Sequence, residues 1–341
     1  MTDSIGSVDH DAAVLIIGAG IVGALIASHL AERGLDVAVI DAQEIGGSAT
    51  RRSIGLATPD PRRAHRQQTA RGVEQLTTIA RRHRIEPRVM RVLHVAGRPD
   101  DAEALRRMVA DLHADGIEAQ WIVDPSLVPR AYSGGLHVGN SVLIDPLLLV
   151  TRLLEHDKIA VKQNVEVYRL ERRRSHILAL ALGYTVRAGA VVLAGGVYAG
   201  LLSPYLADSI HVARGTVWRS HPQPPIPPYD TTAILVEGGH VSVAQTAEGR
   251  LRLGAWGWSE DQSNEPALRA RSYLEQHLPG MLSQTESWVS ATAVSTRDGA
   301  PLVGTLSSQV HYALSAGAFG LAWAPIIAEQ IADSILPRRH T

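Results

Sequence analysis

The stretch from Ala13 to Asp41 restricts the possible folds of this chain more than any other. Ala13, Val14, Leu15, Ile16 and Ile17 form an apolar run that leads straight into Gly18-Ala19-Gly20-Ile21-Val22-Gly23. A helical pattern follows through Leu30, and a second apolar run, Val37 to Ile40, ends at Asp41. The order predicts strand, glycine turn, helix, strand, acid. Gly18 permits the turn, Gly20 lets backbone approach a pyrophosphate, and Gly23 lets the helix pack close on the strand. Unpaired N–H groups at the helix start favour phosphate. Asp41, roughly twenty residues on, can accept hydrogen bonds from ribose hydroxyls. This is the pattern of a dinucleotide-binding unit. The turn alone does not separate a nicotinamide from a flavin dinucleotide.

Composition narrows the surroundings of that unit. A chain of 341 residues allows one large or two intertwined domains. A net charge of -1 gives no global attraction to nucleic acid or membrane. With no cysteine, disulfides, thiolate metal sites and a cysteine nucleophile are excluded. The histidines lack close ligand spacing, so no metal is expected. Met1 to His10 is polar with acids in place of a basic segment, and no apolar run reaches the length of a membrane span. The expectation is a cytoplasmic protein with a frayed tail over residues 1–10.

Along the chain, Gly46 to Leu56 is a small-residue loop carrying Thr50, Arg51, Arg52 and Gly55. Arg62 to Arg84 has helical spacing and a basic outer face, either solvated or directed at an anionic partner. Strands are predicted at Val92–Ala96 and Trp121–Val123, around Val165, Ile177 and Tyr184, at Ala190–Gly196, and at Tyr312–Ala316. Arg214 to Gly254 is β-rich, with breaks at Pro222–Pro228 and Ala247-Glu248-Gly249. Helices are predicted at Asp100–Asp115, Leu147–His156 (Asp145 as N-cap, Pro146 as first residue), Leu268–His277 and Leu321–Leu336.

Several of these stretches, in order and near the expected spacings, resemble motifs of the D-amino acid oxidase and glycine oxidase superfamily of FAD-dependent oxidoreductases. Gly46 to Leu56 resembles its second flavin motif, and Ile144-Asp145-Pro146 its "VDP" helix start. Val191 to Gly196 with Tyr198 and Ala199 resembles "VVxAxGxWA", and Arg214-Gly215-Thr216 resembles "RGQ". Thr296 to Gly304 resembles "TPDGxPxIG", and Gly317 to Pro325 "GHGxxGxxxxP". The resemblance implies a mixed α/β fold, with a Rossmann-like FAD-binding domain interwoven with an antiparallel β-sheet substrate domain. The implied FAD-binding segments are 11–85, 140–215 and 290–338; the substrate segments are 86–139 and 216–289. It also implies cofactor contacts from Gly18, Ala19, Gly20, Ile21, Val22, Gly23, Asp41, Ala42, Thr50, Arg51, Arg52, Gly55 and Leu56. Further contacts would come from Val165 (backbone to adenine), Ala194, Gly195, Arg297, Gly317, Ala318, Phe319, Gly320 and Leu321.

The chain also departs from that pattern. The family's carboxylate-clamping arginine precedes the motif Asp; at its spacing before Asp298 stands Ala293, which cannot supply a bidentate fork. Arg51, Arg52 and Arg297 are the alternative carboxylate ligands. Where relatives place a tyrosine, this chain has His240-Val241-Ser242-Val243, and Ala318-Phe319 replaces the histidine of "GHG". His94, His137, His211 and His240 are candidates for proton handling. Trp256 and Trp258 are candidate pocket walls, and Trp218 a core residue. Without cysteine, and without histidine in Gly46 to Leu56, the FAD is expected to be noncovalent. Lys158 and Lys162, the only lysines, lie near the middle strands, poorly placed to assist O2.

The implied reaction removes hydride from the carbon bearing a neutral amine to flavin N5, giving an imine that water hydrolyses, with O2 or another acceptor reoxidising the flavin. The implied substrate is a small amine or amino acid. The altered carboxylate site leaves two other readings open: a same-fold flavoenzyme acting on a C–OH or C–C substrate, or an FAD-binding subunit with a decayed active site that works with a protein partner.

Overall fold

The computed structural model describes residues 8–257, 266–314 and 317–336. The first half of the chain forms β1 (His10–Ile17), α1 (Ile21–Glu32), β2 (Val37–Ile40), β3 (Leu56–Ala57), α2 (Arg66–Arg82), β4 (Arg88–Val95), α3 (Pro99–Ala114), β5 (Ala119–Ile122) and β6 (Gly135–Leu143). Next come α4 (Pro146–Leu154), β7 (Ile159–Lys162), β8 (Val167–Arg172), β9 (Ile177–Ala181), β10 (Tyr184–Leu193), α5 (Pro204–Ser209), β11 (His211–Pro222) and β12 (Thr232–Val236). The last part holds β13 (Val241–Gln245), β14 (Arg250–Gly257), α6 (Pro266–His277), β15 (Thr285–Ser295), β16 (Leu302–Ser307), β17 (Val310–Leu314) and α7 (Gly320–Ile335). Among the described residues, no helix is long and apolar enough to cross a membrane.

Two sheets organise these elements. In the first, the order is β16-β17-β10-β1-β2-β7, with β8 and β9 attached through β10. Its central strands β17, β10, β1, β2 and β7 are mutually parallel. They are largely apolar, as expected of strands buried on both faces. In the second, the order is β15-β11-β14-β13-β12-β4-β6-β3, with β5 on β6. All its pairs are antiparallel except β12 with β4. The fold is therefore the expected one, a parallel Rossmann-like sheet interwoven with a curled antiparallel sheet. Three of the expected segment boundaries fall inside β6, β11 and β15, all strands of the second sheet.

α1, α2, α4 and α7 pack with the first sheet into one apolar core. Residues 62–65 do not join α2 as the spacing suggests. The Asp60 carboxylate accepts the Arg62 N–H (3.0 Å) and its guanidinium, which holds that segment in a turn. The basic face of α2 is paired inside the protein: Arg66 with Asp115, Arg71 with Glu329, Arg81 with Glu86 and Arg82 with Glu32. Val165 is not in a strand. It follows Asn164, whose φ of 58° turns the chain between β7 and β8. Two long strands that the sequence pattern does not mark are β6 and β15. β6 is interrupted by Asn140 at φ 57°, and β15 mixes Ser, Thr and Ala with its apolar positions.

The sheets meet at the start of α7. His94 of β4 stacks on Phe319, the residue before α7, with ring centroids 6.2 Å apart and planes at 22°. His94 is fully enclosed, and its Nε2 has no hydrogen-bond partner among the described residues. Burial pushes its pKa down to about 4, with the nearby Asp60 opposing the shift. In the folded protein, His94 is therefore neutral at pH values where an unfolded histidine is protonated. Because the folded pKa lies below the unfolded one, stability is lost as pH falls from about 6.5 towards 4. The full difference is on the order of 3 kcal/mol. Replacing His94 with Gln should flatten the acid limb of a denaturant-unfolding stability profile across that window. An unchanged limb would show that other groups set it.

Candidate functional site

The site begins at the end of β1. Gly18 has φ 118°, and a Cβ there would lie 2.5 Å from the Ala194 carbonyl oxygen, so the turn requires glycine. A Cβ on Gly23 would lie 2.0 Å from the Gly18 carbonyl oxygen, so α1 could not seat against the turn with any other residue. Gly20, the residue before α1, supplies no side-chain cap. The first N–H of α1, on Ile21, meets the Thr50 hydroxyl at 3.1 Å, which brings the loop after β2 across the helix start. Asp41 at the end of β2 accepts the Ala19 N–H (2.6 Å) and the Gln43 N–H (2.8 Å), one on each carboxylate oxygen. Burial raises its pKa, opposed by those two N–H groups.

A cavity of about 530 Å³ runs from this turn to the second sheet. Its first end is lined by Gly18, Gly20, Ile21, Val22, Asp41, Ala42, Thr50 and Val165, and its middle by Leu56, Ala194, Gly195, Gly317, Ala318, Gly320 and Leu321. All of these were expected from the sequence. The far end is made by Ile54, Leu235, Ser242, Trp256, Thr292 and Ala293. Trp256 was expected there, and Ala293 was marked as the place of a missing cation. Ile54, Leu235 and Thr292 were not singled out: Ile54 is an ordinary apolar residue of the Gly46 to Leu56 loop, and the curvature of the second sheet brings Leu235 and Thr292 over the end of the first.

Other expected site residues lie elsewhere. Ala19 and Gly23 shape the turn from behind without lining the cavity. Gly55 makes its close approach to Ile144 rather than to the cavity; a Cβ there would lie 2.2 Å from the Ile144 carbonyl oxygen. Arg51 pairs with Glu44 at 3.0 Å, and neither Arg51, Arg52 nor Arg297 lines the cavity. His240 accepts from Arg269 Nη1 at 2.7 Å, and the same guanidinium donates to the Trp256 carbonyl at 3.1 Å. Burial, then the Arg269 charge, lowers the His240 pKa. The Gly317 N–H is taken by the Val294 carbonyl (3.1 Å) and the Val165 N–H by the Asp41 carbonyl (3.0 Å), so neither is available as a donor. Phe319 faces His94, with the Arg62 guanidinium 5.9 Å from its ring centre.

His137 bonds the Val92 carbonyl and His211 sits exposed at the start of β11. Trp218 is core, its indole N–H on Thr285. Lys158 pairs with Asp36, and Lys162 lies against Tyr184. Trp258 lies outside the described residues.

One cluster was missed altogether. Asp60 is completely buried and holds Arg62 through both carboxylate oxygens. Arg62 Nη1 donates to the Asp298 carbonyl (2.7 Å), and His65 Nε2 lies 3.2 Å from the same oxygen. These groups tie the loop after β15 to the segment before α2, and so position β15 and Gly317 along the cavity. Pro59-Asp60-Pro61-Arg62 was the available signal, but the partner is 236 residues away.

The turn fits a dinucleotide. Glycines stand where side chains would close the approach, the residue before the helix is a glycine with no side chain to cap it, and an acid stands at the end of β2. A family model described as FAD dependent oxidoreductase matches residues 13–334. The chain is 26% identical over 359 residues to glycine oxidase of Bacillus licheniformis, covering 94% of this chain and 92% of that protein. It is 27% identical over 339 residues to a bifunctional tRNA 5-methylaminomethyl-2-thiouridine biosynthesis protein of Maricaulis maris, covering 96% of this chain but only 52% of that longer protein. Among solved structures, glycine oxidase of Geobacillus kaustophilus matches with TM-score 0.79 at 20% identity, covering 96% of this chain and 95% of that one. L-proline dehydrogenase of P. horikoshii also matches with TM-score 0.79, at 19% identity, covering 95% and 93%. The chain belongs to the DAO family of FAD-dependent oxidoreductases.

Proposed function

We propose that this oxidoreductase removes hydride from a carbon bearing an amine nitrogen, on an amine or amino-acid-like substrate, with noncovalent FAD and a carboxylate site unlike that of glycine or D-amino acid oxidases. The observation that carries this reading is the continuity of the cavity, from the dinucleotide turn at Asp41 to the apolar end at Trp256. When bound, FAD supplies the two-electron acceptor. Gly18, Gly20 and the start of α1 would hold its pyrophosphate and Asp41 its ribose. The start of α7 would direct its partial positive charge at the flavin ring. Leu235, Ile54 and Trp256 would exclude water from the reacting carbon and favour the uncharged form of the amine, the form able to release hydride. The similarity to the Bacillus licheniformis glycine oxidase supports an amine over other substrates. Noncovalent binding rests on the absence of cysteine and on a cavity lining without histidine among the described residues.

The cation-free far end also favours a second reading, oxidation of a C–OH substrate that carries no carboxylate. Anaerobic addition of a panel of amines and alcohols to the FAD-loaded protein separates the two. Bleaching of the ~450 nm flavin band by an amine is the expected result, and reoxidation by air then identifies an oxidase. Bleaching by alcohols alone would establish the second reading. An FAD-loaded protein reduced by neither would match a partner subunit with a decayed site.

Two further outcomes follow from the cofactor contacts. Acid precipitation should release all the flavin into the supernatant; yellow colour retained in the pellet would contradict noncovalent binding. Asp41→Ala should weaken FAD about 10-fold or more, by loss of the ribose acceptor and of the Ala19 anchor. Titration of the apoprotein with FAD, followed by flavin fluorescence, measures this directly.

A further inference from the structure

The far end of the cavity has a composition that selects a class of substrate. The only formal charges on the cavity wall among the described residues are Asp41 and Glu166, both beside the β2 end of the cavity, remote from the second sheet. At the second sheet the wall is aliphatic and aromatic, with two hydroxyls, Ser242 and Thr292. No arginine lines the cavity among the described residues, and three in the region are held by other acceptors: Arg62 by Asp60 and the Asp298 carbonyl, Arg269 by His240 and the Trp256 carbonyl, Arg51 by Glu44. Residues 258–265, which follow β14, include no lysine or arginine. A carboxylate at this end would lose its hydration without a counter-charge, a cost that binding seldom overcomes.

What the wall offers instead is Trp256. It is paired across β11 and β14 with Gly215, and its six-membered ring covers that glycine: a Cβ on Gly215 would lie 2.4 Å from the ring. The indole nitrogen reaches over Gly254, where a Cβ would lie 3.1 Å away. Two residues without side chains thus form a seat on the sheet for the indole. Val217, Ala291 and Ala293 pack around it, and Arg269 holds the carbonyl of the same residue from outside the cavity. The ring is fixed by its seat before any ligand arrives, so contact with it costs little ordering.

We propose that the substrate is an amine without a free carboxylate on its reacting carbon, bearing an aryl or alkyl group that packs on Trp256, and that Trp256, seated on Gly215 and Gly254, is the specificity-determining residue. This rests on the amine-oxidoreductase reading and narrows it.

The test uses a matched pair, phenethylamine and phenylalanine (both enantiomers), which differ only in the carboxylate. Binding to the FAD-loaded protein is followed anaerobically by perturbation or bleaching of the flavin spectrum. Phenethylamine should half-saturate at a concentration about 10-fold or more below phenylalanine. Trp256→Ala should weaken phenethylamine by a similar factor on the FAD-loaded fraction, and Gly215→Ala, which displaces the ring, should do the same. Ala293→Arg should shift the preference towards phenylalanine.

Tighter binding of phenylalanine overturns the proposal, and its loss in Arg297→Ala would identify the cation that was overlooked. An FAD-loaded protein that neither ligand perturbs, or a Trp256→Ala variant with unchanged affinity, overturns it too. A protein that takes up no FAD overturns the underlying reading as well, and flavin content measured before any ligand is added distinguishes that failure.

Discussion

The contact between Gly23 and the Gly18 carbonyl is the constraint on which the rest of this structure depends. It presses the first turn of α1 against the end of β1, and nothing larger than hydrogen fits between them. From that one approach the direction of α1 is set, and with it the spot to which its unpaired N–H groups point. The Gly18 N–H donates to the Ile40 carbonyl at 2.8 Å, which aligns the end of β2 with the same turn. Asp41 is thereby delivered to the Ala19 N–H, with β7 holding the other side of β2 through the bond from the Asp41 N–H to the Lys162 carbonyl. The glycine turn and the acid come from one short, continuous stretch of chain, so the order of these groups is a local property even though Thr50, Val165 and Ala194 complete the wall around them.

The other half is not local. The cavity needs a second wall, and that wall comes from a sheet whose strands are gathered from separated stretches of the chain. It is held over the first sheet at the start of α7, where His94 of β4 lies on Phe319 and Arg62 reaches the Asp298 carbonyl. Asp60 and Arg62 depend on each other in that second contact. A buried carboxylate with no cation would be strongly destabilising, whereas a guanidinium bound to both its oxygens neutralises it and is fixed in direction by it. The loop after β15 is then tied down, and Thr292 and Ala293 stay in line with Gly317. Movement of this loop would change the shape of the cavity end at the second sheet while leaving the glycine turn untouched.

This division explains what could be read from the sequence. Residues 13 to 41 were legible almost to the residue, since their signals are glycine spacing, apolar runs and one acid, all short in range. The ordered motifs carried the fold and most of the middle of the cavity. The expected roles of Arg51, Arg52, Gly55 and Arg297 did not coincide with the cavity wall, because a motif fixes a residue's place along the chain and leaves the direction of its side chain to neighbours. Arg51 turned to Glu44 and Gly55 to Ile144. Leu235 and Thr292 gave no signal at all: an aliphatic residue and a hydroxyl on strands become pocket residues only through sheet curvature. Trp256 was visible as an aromatic in the right region, but its seat on Gly215 depends on the register of β11 against β14.

The same register bears on why the chain tolerates Ala293. On β15, Ala291 pairs with Gly215 and Ala293 with Ala213, so the row beside the indole consists of small residues. A long cationic side chain at 293 would have to extend across the space that Trp256 borders, and its guanidinium would lose water where the second sheet's part of the wall, among the described residues, offers the hydroxyls of Ser242 and Thr292 and no acid. An arginine there is favourable only when a carboxylate ligand completes the pair; without one, it is a buried charge with no partner. Small residues at 291 and 293, the two glycines under the ring and the engagement of Arg62 and Arg269 by other acceptors are mutually consistent. Each keeps a charge or a side chain away from the place where the indole lies, so hydrophobic contact would be the main source of affinity for the substrate proposed above.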